Sequence, residues 1–303
     1  MNPRLKYILK RILPPVAVDA AKSVRRILQN HAAPSLPELE AIADSDALWT
    51  GSDGWHHQSI ADAQRKKWPV FLASVEGEGP FGWAHEAPIA TLATSGPPPV
   101  DLGAHNTIIS FGYVLGRAAT GRTRISVLDW GGGSGHYYVY ARRLHPELDL
   151  EYIVKDLEAL CDLGRDLLPD VTFLSDDAAA LTRRCDLVFC SSSLHYTRDF
   201  YDLLGRLCDA AERWLVVTRL PFIDQHEDFV FVQRAHRAGY MTEYPAWVVN
   251  RHKFVAFVSA KGFKLDREFM LGDSLVIENA PEQCVFRGYL FKRIDASPVP
   301  RAV

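Results

Sequence analysis

Residues 127–138, VLDWGGGSGHYY, place four glycines in five positions directly behind an apolar run. A buried strand that passes through such a turn into a helical segment leaves few architectures open, because the turn must be tight and free of side chains. The surrounding pattern selects among them. From residue 104, helical and apolar segments alternate: AHNTIISFGYVLGRAAT, strand RISVLDW, the glycine turn, helix HYYVYARRLHP, strand LEYIVKD and helix LEALCDLGRDLL. Strand VTFLS, a short helix near 178–184, strand CDLVFCSSS, helix RDFYDLLGRLCDAAE and strand RWLVVTRL continue the series. Five strands that read as continuous apolar runs predict a parallel sheet with helices on both faces. Two further strands, FKLDREFM and CVFRGYLFKR, are joined by LGDSLVIENAPEQ, too short for a helical crossover, and should be antiparallel. The expected fold is α/β: a doubly wound, mostly parallel seven-stranded sheet with a C-terminal antiparallel strand pair, preceded by a helical or irregular N-terminal extension.

The chain divides into three segments. Residues 1–30 carry Arg4, Lys6, Lys10, Arg11, Lys22, Arg25 and Arg26 against Asp19 alone. Leu5, Ile8, Leu9, Ile12 and Leu13 recur there at helical spacing, predicting a basic amphipathic helix that stops at Pro14-Pro15. Such a helix packs on its own domain or lies on an anionic membrane face. Lys10 and Arg11 interrupt its apolar run, which excludes a membrane span and argues against a signal peptide. Residues 31–103, punctuated by Pro and Gly, hold Trp49, Trp55, Trp68 and Trp83 and read as an aromatic-rich front or cap region. Residues 104–303 carry the strand–helix series. The net charge of −3 gives no pull toward nucleic acid. Five cysteines with no CxxC pair suit a reduced, cytoplasmic setting, at the inner face of the membrane if the basic segment binds there.

Three chemistries use glycine at such a turn. A phosphate loop needs GxxxxGK followed by Ser or Thr, and no lysine follows at that spacing. The dinucleotide fingerprint GxGxxG puts its third glycine at His136 or Tyr138, so both registers fail. What fits is Asp-x-Gly-x-Gly-x-Gly: Asp129, Gly131, Gly133 and Gly135. This resembles the first motif of the class I, Rossmann-like S-adenosylmethionine-dependent methyltransferases. S-adenosylmethionine has no pyrophosphate, so the glycines would let the backbone pass close to its methionine and ribose portions. Asp129 would face its cationic sulfonium and ammonium end. The motif does not require Gly132.

Asp156, at the end of the next strand and about 20 residues beyond Gly135, stands where nucleotide-binding folds hold ribose hydroxyls, with Glu158 in reserve. The resemblance further implies Asp176 beside the adenine amino group, with Asp177 capping the following helix. In DLVFCSSSLHYTRD, which resembles a methyltransferase segment, Ser191, Ser192 and Ser193 would sit at the carboxyl edge of the sheet, Ser192 against the cofactor. His195 and Tyr196 would face the methyl group or the substrate; a buried, hydrogen-bonded histidine is the ordinary alternative. Cys185, Cys190 and His195 recur every five residues, a spacing that a strand cannot aim at one zinc, so no metal site is expected.

More narrowly, HNTIISFGYVLGRAA, LVVTRLPF, EYPAWVVN, AKGFKL and CVFRGYLFKR resemble, over about residues 45–293, a bacterial family of methyltransferases that accompany surface-polysaccharide functions. The resemblance implies methyl transfer to a glycan-type or other small-molecule acceptor. Arg219, at the end of the fifth strand, would grip a carboxylate, phosphate or sugar hydroxyls, and Tyr244, Trp247 and Asn250 would form an aromatic-plus-amide wall. For a hydroxyl acceptor the first candidate base is His195, with His226 behind it. His105 and Asn106 would close over the cofactor or cap their helix. Two competing classes remain. A nicotinamide-dependent oxidoreductase needs an intact GxGxxG and a Tyr-x-x-x-Lys pair; a catalytically silent methyltransferase-like binding protein should show a degraded glycine motif or a lost ribose acid.

Overall fold

The computed structural model describes residues 36–43, 45–51, 53–82, 87–93 and 100–294. The basic segment 1–30 and Trp83 lie outside the described residues. The described residues from Glu38 onward form one compact unit. Its strands are β1 (Leu39–Ile42), β2 (Arg124–Trp130), β3 (Asp149–Lys155), β4 (Thr172–Leu174), β5 (Cys185–Ser191), β6 (Ala211–Ile223), β7 (Phe229–Gln233), β8 (Tyr244–Asn250), β9 (Phe263–Leu275) and β10 (Cys284–Arg293). The helices are α1 (Asp46–Gly51), α2 (Ser59–Glu76), α3 (Leu102–Ala119), α4 (His136–Leu144), α5 (Glu158–Leu167), α6 (Asp177–Leu181), α7 (Phe200–Ala210) and α8 (Arg251–Ala260).

Five strands run parallel in the order β4-β3-β2-β5-β6. Strand β10 pairs antiparallel with both β6 and β9, completing the expected seven strands and the expected C-terminal pair. The period of two sorts the strand residues onto two buried faces. Leu128, Ile153, Val188 and Leu215 pack with Leu204 and Leu207 of α7 and Phe254 of α8. Val127, Tyr152, Val154, Leu187 and Val216 pack with Phe71 of α2, Phe111 of α3 and Tyr140 of α4. At the amino end of the sheet the buried Asp186 carboxylate accepts Ser126 N–H at 3.0 Å and pairs with Arg122 at 3.0 Å.

Three strands go beyond the expected seven. β6 runs for 13 residues, and its last two, Phe222 and Ile223, pair parallel with β8. β8 carries β7, and β7 carries β1, both antiparallel. Short length and Pro245 hid these strands in the polar–aromatic stretch and the front region, since Pro inside a run demotes a strand reading. Asp101 caps α3 by accepting Ala104 N–H at 2.7 Å. His105 and Asn106 neither cap nor cover a ligand site; they bond the Phe81 and Leu271 carbonyls, each at 2.7 Å. All five cysteines are free and buried. Among the described residues no helix is long and apolar enough to cross a membrane.

Candidate functional site

A cavity of about 320 Å³ opens where β2, β3 and β5 end and β6 runs on. Its floor includes Gly131–Gly133, Asp156, Ser191–Ser193 and Arg219; Trp55 and His56 of the front region and Tyr244 of β8 face them.

Each glycine of the turn answers a separate demand. Gly131, Gly133 and Gly135 take φ of 71°, 59° and 93°, the left-handed region that only glycine enters freely. A Cβ on Gly131 would overlap Ser193, and one on Gly135, the N-cap of α4, would lie 2.7 Å from Leu168 Cδ1. Gly132 is needed for a reason the motif does not record: its Cβ would lie 2.5 Å from Asp129 Oδ2. The Asp129 carboxylate is packed directly beneath the turn, fully buried, and does not line the cavity. Tyr152 Oη donates to its Oδ2 at 3.0 Å, while Oδ1 has no partner. Burial pushes this carboxyl up to about 7, against the Tyr152 hydrogen bond and with help from the neighbouring Asp156 charge. The expectation that Asp129 faces a cation is therefore corrected: desolvated under Gly132, it supports the turn from below.

Asp156 does line the cavity. Gly133 N–H donates to its Oδ2 and Leu157 N–H to its Oδ1, both at 2.7 Å, so both oxygens are fixed in place. Burial raises its pKa, opposed by those two N–H groups and by the charges of Lys155 and His56. The reserve Glu158 is exposed and pairs with Arg165. Of the two acids after β4, Asp176 takes the capping place expected of Asp177, and Asp177 does not take the cavity place expected of Asp176. Asp176 is the cap, accepting Ala179 N–H at 2.6 Å, whereas Asp177 pairs with Lys155, whose ammonium lies 4.5 Å from the Trp130 ring centre. Neither aspartate lines the cavity: the Asp176 carboxylate is held on a first-turn N–H group of α6, and that of Asp177 is held on Lys155.

At the β5–β6 end, Ser192 and Arg219 both line the cavity with positive φ, 52° and 53°. Ser192 N–H donates to the Thr218 carbonyl at 3.0 Å, so the two left-handed residues are neighbours across the strand pair. Ser191 Oγ is engaged with Tyr137 Oη at 2.7 Å, and Ser193 Oγ donates to the Trp130 carbonyl at 2.8 Å. Tyr196 lines the cavity, its hydroxyl on Gln233 Oε1 at 3.0 Å.

Four expected site residues stand elsewhere. His195 is 1% exposed beneath Tyr196, and burial, with the Arg219 charge, lowers it to about 3, so it stays neutral and sealed from the cavity. His226 lies beyond the end of β6, its Nδ1 3.2 Å from Glu282 Oε2. Asn250 caps α8, its Oδ1 accepting His252 and Lys253 N–H. Trp247 stacks on Trp49 and donates Nε1 to the Thr197 carbonyl at 3.1 Å. The aromatic surface comes instead from Trp55, 4.8 Å from Tyr244 and 5.0 Å from Tyr196 between ring centres. Trp55, His56, Lys155 and Tyr137 were not singled out from sequence. The tryptophan-rich front region was the available signal for the first two, and the residue preceding Asp156 for the third. Among the described residues no three His, Cys, Asp or Glu side chains stand together as a metal site.

No protein-family model matches the sequence, and no curated protein matches it. Solved structures match at low identity. The magnesium protoporphyrin IX methyltransferase from Synechocystis PCC 6803, solved with bound SAM, is 16% identical with a TM-score of 0.42; the match covers 65% of this chain and 86% of that one. An S-adenosylmethionine-dependent methyltransferase from Clostridium acetobutylicum ATCC 824 is 13% identical with a TM-score of 0.41, covering 61% and 92%. The 1,6-didemethyltoxoflavin-N1-methyltransferase of Burkholderia thailandensis is 16% identical with a TM-score of 0.40, covering 62% and 78%.

Proposed function

We propose that this chain is an S-adenosylmethionine-dependent methyltransferase acting on a small-molecule acceptor. The observation that carries the reading is the pair of loop donors already spent inside the protein. Gly133 N–H is bonded to Asp156 and Gly135 N–H to the Gly132 carbonyl at 3.0 Å. A pyrophosphate at this helix N-terminus would need such donors. A nucleoside of either kind needs a fixed carboxylate for its ribose, and Asp156 supplies one with both oxygens pinned and their second lone pairs still able to accept, so the spent loop donors alone carry the distinction. Leu157 and Leu160 line the same end of the cavity and offer an apolar surface to a planar base. This chemistry disfavours the nicotinamide alternative.

When bound, S-adenosylmethionine supplies a methyl group already activated by its sulfonium. The protein's task is then chiefly to hold the acceptor in line with it, which oriented binding accomplishes by removing translational and rotational freedom. The Gly131–Gly133 crest admits close backbone approach, Asp156 orients the ribose, and Ser192 and Arg219 flank the acceptor end. The narrower reading, a glycan-type acceptor in surface-polysaccharide synthesis, is supported by the sequence resemblance and by aromatic faces suited to stacking on sugar rings. Calorimetric titration with S-adenosylhomocysteine and with NAD tests the proposal. Saturable binding of the first alone is expected; binding of NAD alone would refute it.

A further inference from the structure

We infer that the front region completes the cofactor site: Gln64 of α2 donates its carboxamide N–H groups to the α-carboxylate of the S-adenosylmethionine tail. This deepens the methyltransferase reading and rests on it.

The turn's own donors are committed. Gly131 N–H is bonded to the Lys155 carbonyl at 2.7 Å, Gly133 N–H to Asp156 and Gly135 N–H to the Gly132 carbonyl. A nucleoside whose ribose lies on Asp156 carries its amino-acid tail on the same sugar. That tail must pass the glycine crest, and its carboxylate needs donors that these three amides no longer offer. A side chain has to supply them.

Gln64 stands at that place. It lines the cavity although it is only 3% exposed. A Cβ on Gly133 would lie 3.4 Å from its Oε1 and 3.7 Å from its Nε2. The carboxamide therefore faces the same crest residue whose N–H holds Asp156. Ser134 Oγ, fully buried in the turn, donates to Gln64 Oε1 at 3.0 Å. With that oxygen engaged, Nε2 has no hydrogen bond among the described residues. A buried amide nitrogen is ordinarily paired, so this one marks the place of a ligand's acceptor.

The donor is also held in position. Trp68 and Phe71, one and two helical turns beyond Gln64, set their rings against His136 of α4 at 5.0 and 4.6 Å. Gln64 is thus presented by a helix packed on the turn itself. A neutral donor suits the charges of the tail, which carries an ammonium beside its carboxylate and a sulfonium close by. Lysine or arginine at this position would repel both cations, whereas a carboxamide meets the anion without adding charge. Gln64 lies well before the strand–helix series, so the glycine motif alone does not build the site.

The test titrates the full chain calorimetrically with S-adenosylhomocysteine and with S-adenosyl-3-thiopropylamine, its decarboxylated analogue, which keeps the nucleoside, thioether and amine. The wild-type chain should prefer the carboxylate-bearing ligand by about tenfold or more, the order of one hydrogen bond to a charged group. Gln64→Met, which retains length and packing, should weaken S-adenosylhomocysteine about tenfold and the analogue less than about twofold. Gln64→Glu should reverse the preference, because its carboxylate repels that of the tail and attracts the amine. A merely structural role would weaken both ligands alike. Equal wild-type affinities, parallel losses in Gln64→Met, or a preference undiminished in both variants would overturn the inference and leave the methyltransferase reading standing. Absence of binding by both ligands to the wild-type chain would overturn both.

Discussion

Gly132→Ala isolates the packing of the turn from its ligand chemistry. The added methyl would sit 2.5 Å from Asp129 Oδ2 and 2.6 Å from its Cγ. The carboxylate cannot retreat freely, because Oδ2 accepts Tyr152 Oη at 3.0 Å and the whole group is fully buried. Overpacking a tight interior costs about 1–3 kcal/mol. Displacing the carboxylate from Tyr152 adds about 1 kcal/mol for the broken hydrogen bond. The expected loss is therefore about 2–4 kcal/mol, read as a lowered midpoint of urea unfolding with an unchanged slope. Gly133→Ala is the control: its nearest atom would be Gln64 Oε1 at an ordinary 3.4 Å, so only the backbone term of about 1–2 kcal/mol applies. In the double variant Asp129→Ala/Gly132→Ala the clash has no carboxylate to meet, so the two changes should be sub-additive by at least 1 kcal/mol. A loss below 0.5 kcal/mol for Gly132→Ala, or strict additivity in the cycle, would refute the account of why the fourth glycine is there (about 0.5 kcal/mol being the usual error of additivity).

The raised pKa of Asp129 gives a pH dependence of definite sign. Between the ordinary carboxyl value near 4 and about 7 the folded state binds the extra proton, so stability falls as pH rises through that window and levels off above it. The amplitude is at most about 4 kcal/mol, and the wild-type minus Asp129→Asn difference in urea midpoint across pH 4–8 should show the slope. A pH-independent difference would rule it out. Asp186→Ala strands the Ser126 N–H and Arg122, so a loss of about 3 kcal/mol in thermal or urea unfolding is expected; a loss under 1 kcal/mol would contradict it. Asp156→Ala should weaken S-adenosylhomocysteine about 100-fold by calorimetry, the order expected for two charge-assisted hydrogen bonds, and unchanged affinity would remove the carboxylate from the nucleoside site.

What could be read from sequence divides along a physical line. The seven-stranded sheet was legible because parallel strands are buried on both faces, leaving unbroken apolar runs such as RISVLDW and CDLVFCSSS. The turn was legible because positive φ demands glycine at Gly131, Gly133 and Gly135. Asp156 was legible from its distance along the chain. Asp129, Asp176 and His195 show where spacing gives out: each is at the expected place in the chain, but a difference of one strand face or one cap decides whether its polar atoms meet a cavity, a helix or a neighbouring hydroxyl. The aromatic side of the cavity was least legible. Trp55 and Tyr244 are almost two hundred residues apart, and they meet through β7 and β8, two short strands whose pattern carried a proline. Asn250 and Trp247, close in sequence to Tyr244, were spent on a cap and on Trp49.

Strand β6 bends at Arg219, where its register with β10 shifts, without leaving the sheet. One strand serves the central sheet through β5 and β10 and the outer strands through β8, with Arg219 in its middle. Both sides of the bend at Arg219 stay tied to the sheet, because β10 pairs with β6 from Trp214 to Phe222. Backbone amides around Leu220–Ile223 should exchange with solvent deuterium as slowly as those of Leu215–Val217, opening only when the central sheet opens. The opposite side of the cavity is built differently: the Gly54–His56 turn that carries Trp55 and His56 is held by ring contacts of Trp55 with Tyr196 and Tyr244 and by no strand ladder, so its amides should exchange faster than those of β6.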